Sequence, residues 1–288
     1  MRITDFIRQQ TALQGVRTNL DAVSRAQQEL SSGRKVTTMS DDPVGSRQIL
    51  HMDGQLRDIE QFRRNGVTAS TRLATEDAVL TNLRGIVGTA KDLTVSAATQ
   101  LPGDPLRLAA VATVSQLRVS VLALGNTRIG TEYIFAGGQT TTTPFPATGI
   151  YQGDTTVRQT QIAEGTTLAG NHTGDQIIAP TIQALDALTV ALQTGTSAQV
   201  QAAGVALDAA QTGALVAQAE TGSRQRQLID VSAYLGRMAG VLQDRRGEIR
   251  DADPAESSIR LVTAQSALER AYAAIARVIS TSLLDYLR

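Results

Sequence analysis

The sequence predicts a mainly α protein, a nested long-helix coiled-coil bundle formed by both chain ends, with a small central β-rich insert domain. Apolar residues recur at alternating spacings of three and four near both ends, which is typical of a seam between helices. Turn-forming Gly, Pro and Thr concentrate near the middle. Aromatic residues make up only 3% of the 288 residues and Trp is absent, which favours Ala- and Leu-rich helix packing over a large aromatic core.

The first helix is predicted over residues 3–32. Its apolar seam continues until Gly33, a residue suited to the left-handed position that follows a helix end. A single apolar stripe on one helix cannot bury itself, so we expect this seam to form part of an assembly interface. The interface residues predicted here are Leu13, Val16, Leu20, Val23 and Leu30.

A polar connector over residues 34–42 precedes the second helix, which is predicted over about 43–100. Asp42 can accept hydrogen bonds from the first turn of that helix, and Pro43 fits the first helical position. We therefore expect Asp42 and Pro43 to act as structural caps.

A third helix is predicted over about 105–125, after a break at 101–105. A β-rich insert domain is then expected over 137–180, with one hairpin at 150–157 and a second at 160–168. The insert contains few apolar residues, so we expect it to be marginally stable alone and dispensable for the helical core.

Helical periodicity returns after Pro180 and continues to Asp251, with a break at 194–196. The order of helices, β insert and helices indicates a hairpin-like layout in which the chain ends meet. Three domains are expected: 1–42 with 254–288 as a terminal coiled coil, 43–136 with 181–253 as a helical rod, and 137–180 as the insert.

The last helix is predicted to begin at Asp253-Pro254, a second cap of the same type as Asp42-Pro43. Glu256 could reach back to complete a capping box. No further Pro or Gly follows, and a second seam extends towards the end of the sequence. The assembly-interface residues predicted on this seam are Leu261, Leu268, Tyr272, Ile275 and Ile279.

Composition argues against several classes of protein. The 27 basic residues balance the 27 acidic ones, so we expect no nucleic-acid partner. The lack of Cys argues against a disulfide framework and a thiolate metal site. No apolar run approaches the length of a membrane span, so no membrane insertion is expected. The N-terminal residues lack the features of a cleavable secretory signal, and any export is expected to use another route.

No constellation of catalytic residues stands out. The two histidines, His51 and His172, are far apart in sequence, and a structural role is favoured for His51 between Leu50 and Met52. The glycosylation sequon that contains His172 is interpreted as a chance match. Asp41 and Asp42 are better explained by helix capping than by metal binding. The sequence contains no phosphate loop, nucleophile elbow or two-His zinc helix, so neither an enzyme nor a cofactor is expected.

Several local segments carry a resemblance to a known family. They are Met1–Thr4, Ser40–Pro43, Gly125–Arg128 followed by Tyr133–Gly138, Tyr151–Asp154, and Ser282–Leu287. With the nested layout and the two terminal seams, they resemble the flagellin superfamily and, within it, the hook–filament junction type. The run Pro43–Arg47 departs from the Ala-rich segment that usually follows Asp-Asp in true flagellins.

This resemblance implies a structural subunit of the bacterial flagellum that links the hook-side junction protein to flagellin. It implies self-assembly into a helical or ring layer, and delivery by an export chaperone and the flagellar type III export apparatus. It also implies an extracellular location and terminal helices that are disordered in the free monomer.

Other classes remain open. The chain could be a flagellin, or another type III-secreted coiled-coil protein such as a membrane-active translocator. An enzyme housed in the β insert is a third class, which lacks convergent acid, base or metal-binding residues. Assembly on hook ends, lysis of vesicles and substrate turnover would separate these classes.

Overall fold

The computed structural model describes residues 2–286, and within them the side chains of residues 6, 7 and 10–277. The described chain contains six helices and two small antiparallel strand pairs, which confirms the predicted mainly α fold with a small β-rich part. The helices are α1 (Arg2–Ser32), α2 (Pro43–Ala98), α3 (Pro105–Gly125), α4 (Gly174–Thr194), α5 (Ser197–Arg250) and α6 (Pro254–Tyr286). The strands are β1 (Arg128–Ile129), β2 (Glu132–Tyr133), β3 (Gln159–Ala163) and β4 (Thr166–Ala169).

The chain divides into two compact units, one formed by residues 1–57 with 238–288 and the other by 58–237. The first unit therefore joins the two ends of the sequence, as a nested layout requires. The three domains expected from the sequence are drawn at other limits and stay predictions.

The first unit is built around the antiparallel pairing of α1 and α6. Asn19 donates from Nδ2 to the backbone oxygen of Ala267 (3.4 Å), and Arg260 lies 3.5 Å from Glu29. Residue numbers that fall on one helix while they rise on the other establish the antiparallel direction. The two connectors also pair, because the Ala252 amide donates to Gly33 (2.9 Å).

The second unit has one main core shared by four helices. Leu83 and Val87 of α2, Val114 and Val121 of α3, Leu185 and Leu188 of α4, and Leu207 and Ala214 of α5 are all fully buried in it. A smaller cluster packs the β3–β4 hairpin onto α2 and α5, through Ile162, Leu168, Leu73 and Leu228.

Helix α4 begins six residues before the proline at which the sequence predicted helix to resume. Pro180 lies inside α4, although an internal proline costs a helix about 3 kcal/mol. Ile177 and Ile178 lie in that first part of the helix and are both buried in the main core. Their burial offsets the cost of the proline, because each buried side chain of this size contributes about 1.5–3 kcal/mol.

The insert differs from its prediction in two ways. Residues 150–157 form no strand; the predicted second hairpin is present as β3 and β4, while β1 and β2 form an earlier pair that the sequence did not predict. The segment is also not separable from the helices, because Phe145 is buried in the main core with Ile177 and Ile178. The burial of Phe145 therefore argues against the expectation that the helical core can dispense with the insert.

Among the described residues, two helices have the length and hydropathy of a membrane span, contrary to the expectation from the sequence. They are α3, with mean hydropathy 1.6 and 22% of the segment buried, and α4, with mean hydropathy 1.2 and 50% buried. Core helices of soluble proteins pass the same test, and α4 supplies much of the main core. The low burial of α3 leaves much of an apolar helix uncovered.

Candidate assembly surfaces

The predicted seam residues are only partly covered by the pairing of α1 with α6. Val16 is 8% exposed, and Val23, Leu261, Leu268 and Ile275 are half-buried. Their neighbours on the seam remain exposed, namely Leu13, Leu20, Leu30 and Tyr272. The side chain of Ile279 lies outside the described residues. The helix pair thus presents apolar surface that it does not bury itself.

A second apolar face on α6 was missed by the sequence reasoning. Ile259 and Val262 lie off the predicted seam and are 67% and 62% exposed. They are three residues apart on one helix, which places them on a common face. The spacing of Ile259 and Val262 is the signal in the sequence for this face. It is weaker than that of the seam, because the next positions on the face are the polar residues Ser266 and Glu269. Helix α6 therefore offers apolar side chains on two faces.

The two Asp-Pro pairs lie at the N-termini of α2 and α6, directly after the connectors. Asp42 accepts hydrogen bonds from the Val44 and Gly45 amides at 3.1 and 2.9 Å, and Pro43 is the first residue of α2. Asp253 accepts from the Ala255 amide at 2.8 Å, and Pro254 is the first residue of α6. These bonds satisfy amides that have no partner within the helix.

The capping box suggested for Glu256 does not form. Its carboxylate instead accepts a hydrogen bond from Arg260 at 2.7 Å, one turn further along α6. An exposed pair at this spacing contributes little to stability, because water competes for both charges.

Asp41 organises the connector that leads into α2. Its carboxylate accepts hydrogen bonds from the amides of Thr38 (2.8 Å) and Thr37 (3.1 Å) and from the Thr37 hydroxyl (2.9 Å). The Thr38 amide bond is the main cause that lowers the pKa of Asp41 to about 2, followed by the bonds from Thr37. The side chain therefore has a structural explanation, as a charged acceptor that shapes a turn.

Gly45 permits close packing in the first turn of α2. A Cβ at this position would meet the Asp42 carboxylate and lie 2.9 Å from Ile249 Cγ2 of α5. The missing side chain at Gly45 therefore lets α2 approach α5 closely at this turn.

Two of the family-like segments lock together in the second unit. The hydroxyl of Tyr151 lies 2.9 Å from the Phe135 oxygen and 2.7 Å from the Asp154 oxygen. Asp154 accepts a hydrogen bond from the Gly138 amide at 2.6 Å. The amide bonds from Gly138 and Thr156 lower the pKa of Asp154, whereas burial raises the pKa of Tyr151 to about 12.

The glycines of these segments are required by this contact. Gly137 has φ +67°, and a Cβ there would collide with Asp154. A Cβ on Gly153 would collide with the Tyr151 hydroxyl and lie 2.8 Å from the Ala136 oxygen. The spacing of Tyr151, Gly153 and Asp154 is thus explained by the loop onto which they fold.

Phe145 fastens the same region to the end of α3. Asn126 donates to the Phe145 oxygen (2.6 Å) and accepts from the Phe145 amide (3.0 Å). The ring of Phe145 packs against Gly125 and Gly174, where an added Cβ would lie only 2.7 and 2.6 Å from it. The Gly125-Asn126 pair therefore both ends α3 and receives the loop.

An ionic cluster surrounds the buried His172, and the sequence did not predict its charged partners. Its Nδ1 lies 2.6 Å from Glu76 of α2 and its Nε2 lies 2.9 Å from Glu220 of α5, while Arg224 lies 3.2 Å from Glu220. Burial alone would lower the pKa of His172, but the hydrogen bonds from its ring to Glu76 and Glu220 raise it above its ordinary value. An imidazolium can donate to both carboxylates and so joins α2 to α5.

The burial of His172 and its neighbours makes the glycosylation sequon inaccessible, and the region does not form a metal site among the described residues. Asn171, His172 and Thr173 are all buried, so the sequon is closed to modification in the folded chain. Among the described residues, no group of three or more His, Cys, Asp or Glu side chains is arranged to hold a metal ion. The chemistry of this region is therefore that of structural ion pairing and surface packing.

Both terminal parts of the chain match the models of a known protein family. The family description "Bacterial flagellin N-terminal helical region" matches residues 3–140, and "Bacterial flagellin C-terminal helical region" matches residues 205–287. Together these matches cover well over half of the chain.

Individual relatives agree with these matches. The chain is 27% identical over 179 residues to the flagellar hook-associated protein 3 of Salmonella typhimurium, which is 62% of this chain and 56% of that relative. The match thus spans little more than half the length of the relative.

Two solved structures share the fold. Bacillus cereus FlgL superposes with TM-score 0.61 at 20% identity, covering 68% of this chain and 99% of that one. The flagellar junction protein FlgL from Legionella pneumophila gives TM-score 0.55 at 15% identity, covering 70% and 99%.

Proposed function

Because the chain belongs to the bacterial flagellin family, we propose that it is a structural subunit of the flagellum at the junction between hook and filament. In this role it links a hook-side junction protein to flagellin and assembles with its own copies in a helical or ring layer. The similarity to proteins named hook-associated protein 3 and flagellar junction protein supports a position at the junction. A flagellin would instead be distributed along the filament.

The observation that carries the proposal is the uncovered apolar surface of the α1–α6 pair. Leu13, Leu20 and Tyr272 on the seam, and Ile259 and Val262 beside it, remain exposed after the two helices have packed. Exposed large apolar side chains that recur along one helix pair are typical of a site of association. An assembly subunit buries such a surface against its neighbours, whereas in an isolated monomer the apolar side chains stay in unfavourable contact with water.

Export and location follow from the same proposal. The chain is carried by an export chaperone to the flagellar type III apparatus, passes through it unfolded, and folds outside the cell. The absence of cysteine suits this route, because refolding then needs no disulfide to form. That the protein is not an enzyme stays a prediction.

Immunogold labelling of isolated flagella tests the proposal. Antibody against residues 58–237 should mark a single band where hook meets filament, and a strain that lacks the gene should show no band. Label along the whole filament would instead identify a flagellin, which is the second candidate. Label absent from flagella and present in the culture medium would support another secreted coiled-coil protein and reject the junction role.

A further inference from the structure

Helix α3 carries an apolar stripe that its own unit leaves uncovered. Leu108 and Val119 are 54% and 55% exposed, and Ala112, Gln116 and Ala123 are exposed between and beyond them. These five positions are spaced four, four, three and four, so they lie on one face of the helix. We call this face the α3 stripe.

The α3 stripe contains no charged residue. The two charged side chains of α3 point elsewhere, since Arg107 is fully buried against the C-terminus of α4 and Arg118 pairs with Asp186 at 2.6 Å. Surface helices normally place charged residues opposite their buried face. An uncharged outer face on a helix of mean hydropathy 1.6 indicates that something covers it in the assembled state.

A groove of matching character runs between α4 and α5 of the same unit. Two adjoining cavities of about 390 and 590 Å³ share Ala206 and form it. From Ala202 to Gly213 its α5 wall consists of Ala and Gly, with Gln199 at one end. Its α4 wall includes Ala187 and Val190 together with the uncharged polar residues Gln176, Gln183 and Thr194. The one charged residue on its lining is Asp186, which is already paired with Arg118.

The stripe and the groove match in length and relief. The stripe spans fifteen helical steps from residue 108 to 123, about 22 Å, and the groove spans fourteen steps of α5 from 199 to 213, about 21 Å. Leu108 and Val119 project from the stripe, whereas Ala and Gly leave depressions along the groove. Packing of projecting side chains into depressions is how helices associate closely.

We propose that the α3 stripe of one copy packs into the α4–α5 groove of a second copy. This inference rests on the proposed assembly function and assigns it a contact in the second unit. The two surfaces differ, so the contact is heterologous and repeats from copy to copy into a ring or helical layer. A strip about 22 Å long and about 10 Å wide is far below the ~800 Å² that each partner buries in a stable complex. The contact is therefore weak between free chains and gains strength when each copy makes it twice.

Engineered cysteines test the contact, because the chain has none of its own. Val119→Cys marks the stripe and Ala206→Cys marks the groove, while Val95→Cys supplies an exposed valine of α2 that lies outside both surfaces. Equal amounts of two purified full-length variants are oxidised with copper phenanthroline at stepped protein concentrations. The Val119→Cys and Ala206→Cys mixture should give roughly five-fold more mixed disulfide dimer than the Val95→Cys and Ala206→Cys mixture. A disulfide needs Cα atoms within about 7 Å, so the reaction reports direct packing.

The chain that carries both Val119→Cys and Ala206→Cys should yield a ladder of oligomers on a non-reducing gel. Equal yields from both mixtures, or dimers of Val119→Cys alone, would overturn the proposal. Helical circular dichroism checks each variant, and exposed Ala202→Cys replaces Ala206→Cys if the latter unfolds.

Two further readouts separate this contact from its alternatives. Sedimentation of the wild-type chain with phosphatidylethanolamine–phosphatidylglycerol vesicles, lost in Val119→Gln, would mean that lipid covers the stripe and would reject a second copy. The immunogold band tests the junction role separately. A ladder of disulfide-linked oligomers without an immunogold band would support the contact and reject the junction role. An immunogold band without the ladder would support the junction role and reject the contact.

Discussion

The hydroxyl of Tyr151 lies 2.9 Å from the backbone oxygen of Phe135, a residue sixteen positions earlier in the chain. The same hydroxyl lies 2.7 Å from the Asp154 oxygen, so one phenol serves two carbonyls in a half-buried setting. We expect Tyr151→Phe to lower the free energy of unfolding by about 1–3 kcal/mol, because the Asp154 oxygen loses its donor. The Phe135 oxygen keeps its hydrogen bond from the Gly174 amide (2.9 Å). Urea unfolding followed by circular dichroism measures the change.

The matched control for this substitution is Tyr133→Phe. Its hydroxyl pairs with the exposed Thr143 hydroxyl at 3.0 Å, where water can replace it. The control should change stability by less than about 0.5 kcal/mol. Equal effects of the two substitutions would show that the Tyr151 bonds do not hold the loop.

Gly137→Ala should destabilise the second unit more than Gly165→Ala. Both glycines have positive φ, +67° and +66°, so both substitutions incur about 1–2 kcal/mol of backbone strain. An added Cβ collides with Asp154 only at Gly137, whereas nothing lies within 4 Å of it at Gly165. The collision should add about 1–3 kcal/mol, measured as the difference between the two urea midpoints. Identical midpoints would contradict the close approach of the two loops.

His172→Gln should weaken the second unit and remove a pH dependence of its stability. The pKa of His172 is raised in the folded chain, so its contribution is complete below the unfolded value and is lost as pH rises through the folded value. Glu76, which is 2% exposed, then remains buried without its cation, a situation that costs about 3–5 kcal/mol. Thermal unfolding from pH 5.5 to 9 should therefore show a falling midpoint in the wild type and a lower, flatter one in the variant.

His51→Gln is the control, since His51 is exposed and the chain has only these two histidines. It should keep the pH dependence of the wild type. A wild-type midpoint that rises with pH over this range would contradict the assigned sign.

Replacing residues 140–178 with a short Gly/Ser linker should abolish cooperative unfolding of the helical core. The replacement removes Phe145, Ile177 and Ile178, each buried among the four helices. Replacing only 159–169 removes Ile162 and Leu168 from the small cluster and should leave the main core folded. Circular dichroism at 222 nm during heating distinguishes the two outcomes. A cooperative transition in the larger replacement would show that the helices do not need this segment.

Val262→Asp should leave folding intact and prevent incorporation into the flagellum. Val262 is largely exposed, so a carboxylate at this position stays hydrated in the free chain. In an assembled contact it would be buried without a partner, which costs several kcal/mol. Cells with this variant should build hooks and release unpolymerised flagellin into the medium. Ala274→Gln, which is exposed on α6 but lies on neither of its two apolar faces, should assemble normally.

Leu268→Asp is a less clean probe of the same contact, because Leu268 is half-buried and its substitution also disturbs the pairing of α1 with α6. Normal filaments with Val262→Asp would reject the second face of α6 as an assembly contact.

The helices could be predicted from the sequence because their boundaries are set by neighbours within a few residues. Asp104 accepts the Leu106 amide at 2.8 Å and Pro105 opens α3, so the signal and its effect lie in one turn. The same holds for Asp42-Pro43 and Asp253-Pro254. The alternating apolar spacings likewise fix which face of α1 and α6 seeks a partner, since helical geometry is a local property.

Tertiary structure decided what distant segments do to one another. Residues 150–157 lack strands because their polar groups bind the loop at 135–138, a partner that no local pattern identifies. Helix α4 continues through Pro180 because the core rewards burial of Ile177 and Ile178 more than the proline costs. His172 acquires its two carboxylates from helices 96 and 48 residues away. Such contacts depend on the packing of the whole unit, and their energies outweigh the local preferences that the sequence expresses.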